Sequence, residues 1–136
     1  MPSIETSIWL ALKSRLKALT LNPALPIAWP NESFNRPPTG YLRATWIPNT
    51  TRRMLIGAGP HQRLGILQVD VMAKKNQDIA VATEIAGKVA SHFPADLCMR
   101  SHGVAARVTR APEIAQPIAE DSHLMVPVTI RVESYA

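Results

Sequence analysis

The sequence predicts one α/β (α+β) domain, in which a mostly antiparallel or mixed β-sheet packs against two main helices. Apolar residues recur at helical spacing in two segments and alternate with polar residues in several others. The chain has 136 residues, of which 46% are hydrophobic and 18% are charged. This length suits a single hydrophobic core spanning residues 1–136, and the composition is that of a folded protein rather than a disordered one.

The first helix is predicted at the beginning of the chain, where apolar side chains share one helical face. These side chains are Ile4, Ile8, Leu12, Leu16 and Leu19. Ser3 is a candidate N-cap, and basic residues follow toward the C-terminal end, where the helix dipole favours cations. Asn22 and Pro23 are expected to stop this helix.

An antiparallel meander is predicted after a proline-rich loop. "YLRATWI" from Tyr41 and "RRMLIG" from Arg52 are its first two strands, and "RLGILQVDV" from Arg63 is its third. In the third strand the alternation separates one apolar face from one polar face that carries Gln68 and Asp70. The glycine- and proline-punctuated stretch "NTTRRMLIGAGPHQR" is also expected to contain a loop that moves on docking.

The second helix is predicted after "KKNQD", in which Asn76 or Asp78 could be the N-cap. Its apolar stripe consists of Val81, Ala82, Ile85, Val89 and Phe93, and Pro94 ends it. Several alanines and one glycine keep this helix slim. It could therefore pack closely on a sheet or on a neighbouring chain.

The C-terminal part is predicted to contain a hairpin, a loop and a long final strand. The hairpin "LCMRSHGVAARVTR" turns at Gly103, and the loop "APEIAQPIAEDSH" follows it. In "LMVPVTIRVES" apolar residues alternate from Leu124 to Val132. Pro127 cannot donate a backbone hydrogen bond, so this strand should lie at a sheet edge or have an interrupted ladder there.

The sequence contains no arrangement of residues that is typical of an active site. The stretch "GAGP" from Gly57 resembles a phosphate loop but lacks its lysine. Ser101 and His102 are adjacent, which does not predict an imidazole against the serine oxygen. Cys98 is the only cysteine, lies between apolar neighbours and is expected to be an inert, buried or half-buried thiol. The histidines lack metal-binding spacing, so no enzyme, cofactor or metal is expected.

The net charge of +5 makes nucleic acid a possible neighbour, although the basic residues are scattered along the chain. Trp29, Phe34, Tyr41 and Trp46 lie near arginines, and such interleaving can stack on single-stranded bases. Trp46 is in phase with the apolar face of its strand, whereas Tyr41 would remain available on the other face. No run of apolar residues is long enough to cross a membrane.

The order of these motifs resembles the tail terminator-like proteins of tailed bacteriophages and prophages. The pieces that carry the resemblance are the amphipathic N-terminal helix, "IAWPNESFNRPPTGYLRATWIP", "LGILQVDVMAKKNQDIAVATEIAGKVASHF" and the final "VPVTIRVES". The combination of "WPNESF", "PPTGYLR" and the following "G-x-L-Q-V-D-V" is the most specific part. The pieces span nearly the whole chain.

This resemblance implies a structural virion protein that forms a ring, typically a hexamer, on the head-proximal end of the tail tube. Such a ring ends tail polymerisation and is the surface to which the head docks. The implied partners are other copies of the chain, the tail tube protein, the head–tail connector protein, and DNA that passes through the lumen without sequence-specific binding. Assembly would take place in the host cytoplasm, without a membrane.

Polar and charged residues are the candidates for the subunit interface or the lumen of such a ring. They are Arg43, Arg52, Arg53, Gln68, Asp70, Lys74, Lys75, Arg107 and Arg131. A solvent-exposed sheet face explains the strand residues equally well. A small basic protein that binds nucleic acid directly and a head-completion or neck connector protein remain the alternative functions.

Overall fold

The computed structural model describes residues 3–21, 24–53, 60–120 and 122–135. Within these ranges the chain forms two helices and one sheet of eight strands. The helices are α1 (Ile4–Lys17) and α2 (Ile79–His92). The strands are β1 (Ile27–Ala28), β2 (Gly40–Arg53), β3 (His61–Lys74), β4 (Cys98–Ser101), β5 (Val104–Val108), β6 (Glu113–Ile114), β7 (Ile118–Ala119) and β8 (His123–Tyr135).

The sheet has the order β1-β2-β3-β8-β5-β4, with β6 and β7 also paired to β8. The β1–β2 pair is parallel and the other pairs are antiparallel. The sheet is therefore mixed, and the predicted α+β fold class is confirmed. The last strand of the chain enters between β3 and β5 rather than continuing a meander.

Both helices pack on the same face of the sheet. The register places Leu42 opposite Val71, and Val71 opposite Val126, so these side chains share that face. They form one buried cluster with Leu12 of α1 and Val89 of α2. The opposite face of the three long strands carries no helix, and we call it the open face. Its central residues are Arg43, Thr45, Gln68, Asp70, Thr129 and Arg131.

The first helix forms as predicted. The Ser3 hydroxyl accepts a hydrogen bond from the Thr6 N–H at 3.2 Å, and Leu12 and Leu16 are fully buried. The helix ends at Lys17, with Ala18 as its C-cap. The predicted stop at positions 22–23 is too late, because residues 18–21 are already non-helical; positions 22–23 themselves lie outside the described residues.

The C-terminal ends of the two helices hold each other. The Arg15 guanidinium donates two hydrogen bonds, of 3.0 and 2.8 Å, to the His92 carbonyl oxygen. In return, Nε2 of His92 lies 2.6 Å from the Arg15 carbonyl oxygen and donates to it. The Arg15 guanidinium thus satisfies the last carbonyl of α2, and His92 adds a second hydrogen bond to the Arg15 carbonyl, which also accepts from the Ala18 N–H at 3.1 Å.

The second helix begins at the predicted cap, with the Asp78 carboxylate accepting from the Ala80 N–H at 3.0 Å. Its buried face consists of Ala82, Ala86, Val89 and Phe93. The prediction that Val81 belongs to this face is wrong, because that side chain is 46% exposed. The small alanines lie against the sheet, which turns Val81 toward solvent.

The predicted strand "YLRATWI" and the first two residues of the predicted strand "RRMLIG" belong to one strand, β2, and the rest of "RRMLIG" lies outside the described residues. The paired residues of β2 extend through a bulge between Pro48 and Thr51 and continue to Arg53, opposite His61. The two long strands therefore form one hairpin rather than the first part of a meander. A loop was expected over residues 49–63. This prediction is wrong for residues 49–53, which belong to β2, and for residues 61–63, which belong to β3. Positions 54–59 lie outside the described residues.

The last strand is central rather than at an edge. It pairs with β3 along one side and with β5, β6 and β7 along the other. Pro127 faces the break between β6 and β7, where its carbonyl oxygen accepts from the Ala115 N–H at 2.9 Å. The expected interruption of the ladder is confirmed on the side of β8 that pairs with β6 and β7. The predicted loop over residues 111–123 contains these two short strands.

Changing Gly65 to alanine should destabilise the fold by about 1–3 kcal/mol, because overpacking displaces a neighbour. A Cβ at this position would lie 2.2 Å from Cη2 of Trp46, so the indole would have to leave its place over β3. The measurement is denaturant unfolding followed by tryptophan fluorescence.

The matched control is Gly87→Ala in α2, where a Cβ meets nothing within 4 Å. This variant should be stabilised by about 0.5–1 kcal/mol, the usual helix gain of alanine over glycine. Equal effects of the two substitutions would contradict the close packing of Trp46 on Gly65.

Candidate functional site

An ion pair lies at the centre of the open face. Nε and Nη2 of Arg43 donate to Oδ2 of Asp70 at 3.1 and 2.9 Å, and the Gln68 amide donates to Oδ1 at 2.9 Å. The Asp70 side chain is only 3% exposed, whereas that of Arg43 is 36% exposed. The three predicted residues therefore lie together as expected. The carboxylate, however, is satisfied within its own chain and is not presented to a partner.

A second network lies at the other end of this face. The Arg107 guanidinium contacts both Glu133 and Asp96, and the Gln62 amide donates to Glu133 at 3.0 Å. Burial raises the pKa of Glu133, but the hydrogen bonds from Arg107 and Gln62 outweigh burial, so its pKa lies below the ordinary value. The hydrogen bond to Glu133 in turn raises the pKa of Arg107.

Arg131 takes part in a third group of charges. Its Nε lies 3.6 Å from the Glu113 carboxylate, which Arg110 also contacts at 2.9 Å. Arg110 is more than half exposed and Arg131 is 40% exposed. One exposed carboxylate is thus shared by two guanidinium groups.

Two ion pairs of the open face present their guanidinium groups toward solvent. The side chains of Asp70 and Glu133 are nearly buried, while their arginine partners are 36% and 44% exposed. In these two pairs the carboxylates point inward and the guanidinium groups outward, whereas Asp96 and Glu113, which contact Arg107 and Arg131, are 77% and 56% exposed. The hydrogen bonds also hold the arginine side chains in defined positions.

The remaining predicted basic residues lie elsewhere. Lys74 ends β3 and is exposed, and Lys75 follows it. The exposed Arg52 and the last residue of β2, Arg53, lie at the opposite end of the hairpin. The nine candidate residues therefore occupy the open face and the two ends of the hairpin rather than one compact site.

The aromatic residues do not form a stacking platform. Trp29 packs edge-on against Trp9, with Nζ of Lys13 5.1 Å from its ring centroid. Tyr41 is only 1% exposed and contacts the rings of Phe34 and His123. The prediction that Tyr41 remains available on the open face is wrong, because the loop before β2 covers it.

Two expectations about single reactive residues are also wrong. The adjacency of Ser101 and His102 did not lead us to expect a contact between their side chains, but Ser101 Oγ lies 2.9 Å from Nδ1 of His102. Both lie at an exposed hairpin turn, and no carboxylate in the described part of the chain orients the imidazole. Cys98 is exposed rather than buried.

The part of the chain that the structure describes contains neither a metal-ion cluster nor a membrane-spanning helix. There, no three histidine, cysteine, aspartate or glutamate residues are grouped so that they could hold a metal ion. Neither described helix has the length and apolar character required to cross a membrane.

An apolar cleft of about 390 Å³ lies between α1 and the sheet, and we call it the α1–sheet cleft. Ile8 and Trp9 line its helix side, and Trp46, Leu64 and Val132 line its sheet side. At its rim, Nη1 of Arg63 donates to the Glu5 carboxylate at 2.6 Å. Sequence reasoning missed this cleft because its walls come from α1, β2, β3 and β8, which are distant along the chain.

One comparison with known proteins identifies a family. The model of the family described as phage tail terminator protein matches residues 7–132. The solved structure of a second protein, whose name describes no function, is similar to this chain with 33% sequence identity and a TM-score of 0.77. The similarity covers 93% of this chain and 92% of that chain. No curated protein matches significantly.

Changing Arg43 to methionine should cost more stability than changing its partner Asp70 to asparagine. Loss of the guanidinium leaves a buried carboxylate with only the amide of Gln68, at a cost of about 2–4 kcal/mol. Loss of the carboxylate's charge leaves a partly exposed guanidinium that water can solvate, at a cost of about 1 kcal/mol. Denaturant unfolding of both single variants and the double variant measures the coupling. Equal, negligible costs would contradict this buried ion pair.

The lowered pKa of Glu133 predicts a loss of stability in acid. Its contribution is fully present above the ordinary value of 4.5 and is lost as pH falls through the lower pKa of the folded state. Unfolding midpoints between about pH 6 and 3 should therefore fall less steeply for Glu133→Gln than for the wild type. Glu84→Gln, on the exposed side of α2, is the control. Parallel curves for all three proteins would contradict the prediction.

Proposed function

The chain belongs to the phage tail terminator protein family, and we propose that it caps the finished tail tube of a phage or prophage as a ring. In this role it ends tail polymerisation and forms the surface to which the head docks. Its partners are other copies of itself, the tail tube protein and the head–tail connector protein. It acts at the head-proximal end of the tail after assembly in the host cytoplasm.

The observation that carries this proposal is the family match over residues 7–132. The match includes all of the sheet from β1 to β7 and most of α1 and β8, so it concerns the whole fold rather than one motif. The family is one of structural tail components, which agrees with a single domain whose role is assembly rather than catalysis.

The ring is a hexamer in this proposal, and the open face of each subunit contributes to the lumen. Its outward guanidinium groups on Arg43, Arg107 and Arg131 suit a surface past which DNA travels. Each group is tethered by a carboxylate of its own chain, so its attraction for phosphates is moderated. DNA can then pass without sequence-specific contacts.

The alternative functions have less support. Direct binding of single-stranded nucleic acid needs exposed aromatic rings, but Tyr41 is buried and Trp29 lies against α1. A neck connector protein would occupy the same region of the virion. It differs in its place of action, because a connector does not stop tube growth.

Light scattering across protein concentrations should give a mass near six chains, or a monomer that assembles as the concentration rises. The ring mass should persist at high salt, because contacts between subunits that include apolar groups are not abolished by screening. Nucleic-acid affinity that falls steeply with salt, without any protein assembly, would instead support the direct binder.

Adding the purified protein to polymerising tail tube protein of the same phage should stop tube growth. The expected result, seen by electron microscopy, is short tubes with an added ring at one end. Tubes of unchanged length that nevertheless carry a ring would support a connector rather than a terminator.

A further inference from the structure

The outer edge of β2 is only partly covered. Strand β1 pairs with β2 at Leu42 and Arg43, and β3 pairs with the other side of β2. Within the described ranges, β3 is the only strand that pairs with residues 45–48, so one side of this segment has no backbone partner there. We call residues 45–48 the β2 free edge. The unpaired backbone groups of an edge strand are a template to which another strand can add.

The pairing of β2 shows which of its backbone groups point away from β3. The Leu42 N–H donates to the Pro26 carbonyl oxygen at 2.9 Å, so the backbone groups of Leu42 face outward. Successive residues of a strand alternate in this respect, so the N–H and C=O of Trp46 also face outward, as does the C=O of Pro48. Proline is tolerated at this position because its missing N–H would point away from the sheet. The β2 free edge therefore offers one donor and two acceptors.

The two sides of the β2 free edge differ in chemistry. On the helix-covered side, Trp46 lines the apolar α1–sheet cleft together with Trp9. On the open face, a groove of about 390 Å³ lies between β2 and residues 28–36, and its walls include Arg36, Arg43 and Thr45. Alternate side chains of a strand point to opposite faces. A strand added here would therefore place every second side chain beside apolar groups and the others near guanidinium groups.

The charges on the open side favour an acidic strand. The sequence of β2 contains three arginines and no carboxylate. Arg36 is exposed, and the side chain of Arg43 remains 36% exposed beside its buried partner Asp70. Among the described residues that line the groove, Glu32 has the one carboxylate, and it lies 3.5 Å from Nζ of Lys13. A carboxylate on an added strand would therefore meet cations without an unpaired acidic neighbour.

We propose that the β2 free edge binds a short extended segment of another protein, in which branched apolar residues alternate with aspartate or glutamate. The segment adds to β2 as a further strand, through backbone hydrogen bonds to Trp46 and Pro48. Its apolar side chains lie beside the Trp46 indole, and its carboxylates lie beside Arg36 and Arg43. This site does not depend on the number of copies in the proposed ring.

A second copy of this chain fits the edge less well. Strand β4 ends the sheet on the other side, and its exposed Arg100 lies on the open face, two residues from Cys98, which pairs with Arg107. Pairing of β2 with β4 or with a second β2 would bring arginines together on that face, and like charges on facing strands are destabilising. The bulge after Pro48 also limits the edge to a few residues. The segment that fits is therefore short and acidic.

The first test compares two synthetic peptides, acetyl-Val-Glu-Val-Glu-Val-amide and the same peptide with lysine in place of glutamate. NMR amide spectra of the isotope-labelled full-length protein measure binding residue by residue. The acidic peptide should shift the amide signals of residues 45–47, and the lysine peptide should not. Absence of binding by both peptides, or equal binding of both, would overturn the proposal.

The second test changes the charge beside the edge. Arg36→Glu should weaken the affinity for the acidic peptide about fivefold, because it removes one exposed ion pair. The matched control is Arg100→Glu at the opposite edge of the sheet, which makes the same charge change at an exposed position and should leave the affinity unchanged. Equal effects of the two substitutions would mean that binding follows the net charge of the protein, which would contradict the proposed site.

The third test examines strand addition itself. In an antiparallel pair, a valine opposite Trp46 exchanges both hydrogen bonds with it, so N-methylated valines should abolish binding and N-methylated glutamates should not. In a parallel pair the two sets exchange roles. Binding that survives both sets, or is lost with both, would overturn strand addition. A wild-type oligomer that the acidic peptide dissociates would assign the edge to a second copy and would also overturn the proposal. Failure of the ring in light scattering would leave these results unchanged.

Discussion

The antiparallel pairing of β3 with β8 is the interaction on which the rest of the structure depends. It runs without interruption from Gln62 opposite Tyr135 to Lys74 opposite His123. Because paired residues share a face, this one register assigns every side chain of both strands either to the core or to the open face. The two partners lie far apart in the sequence, so the chain must close a long loop before it gains these hydrogen bonds.

The two faces set by that register differ in composition: one is aliphatic and covered by the helices, and the other is polar and charged. The helix-covered face buries aliphatic side chains beneath α1 and α2, with alanines at the contact so that α2 can lie close to the sheet. On the open face the buried carboxylates of Asp70 and Glu133 are paired with arginines that reach solvent, so this face is polar and leaves neither of these carboxylates unpaired. A sheet with one dry and one polar face can remain folded as a single copy and still offer surfaces for assembly.

Local signals in the sequence predicted much of the fold but little of the site. Ser3 and Asp78 are caps because their side chains reach N–H groups two or three residues away, and such local bonds are visible in a sequence. The burial of Asp70 was not predictable, since its partner Arg43 lies across the hairpin and is itself held by Sδ of Met125 on β8. The α1–sheet cleft was missed for the same reason, because Trp9 and Val132 meet only after the sheet has formed.

The sequence by itself determined the fold class, the two helices, the alternation of the long strands and, through the family resemblance, a role in the phage tail. Tertiary structure alone decided that β8 lies between β3 and β5, that Val81 faces solvent, and which charges are buried. The reason is physical. Periodicity and capping depend on residues that are close in the sequence. Strand order and the burial of a charged side chain depend on partners that only folding brings together.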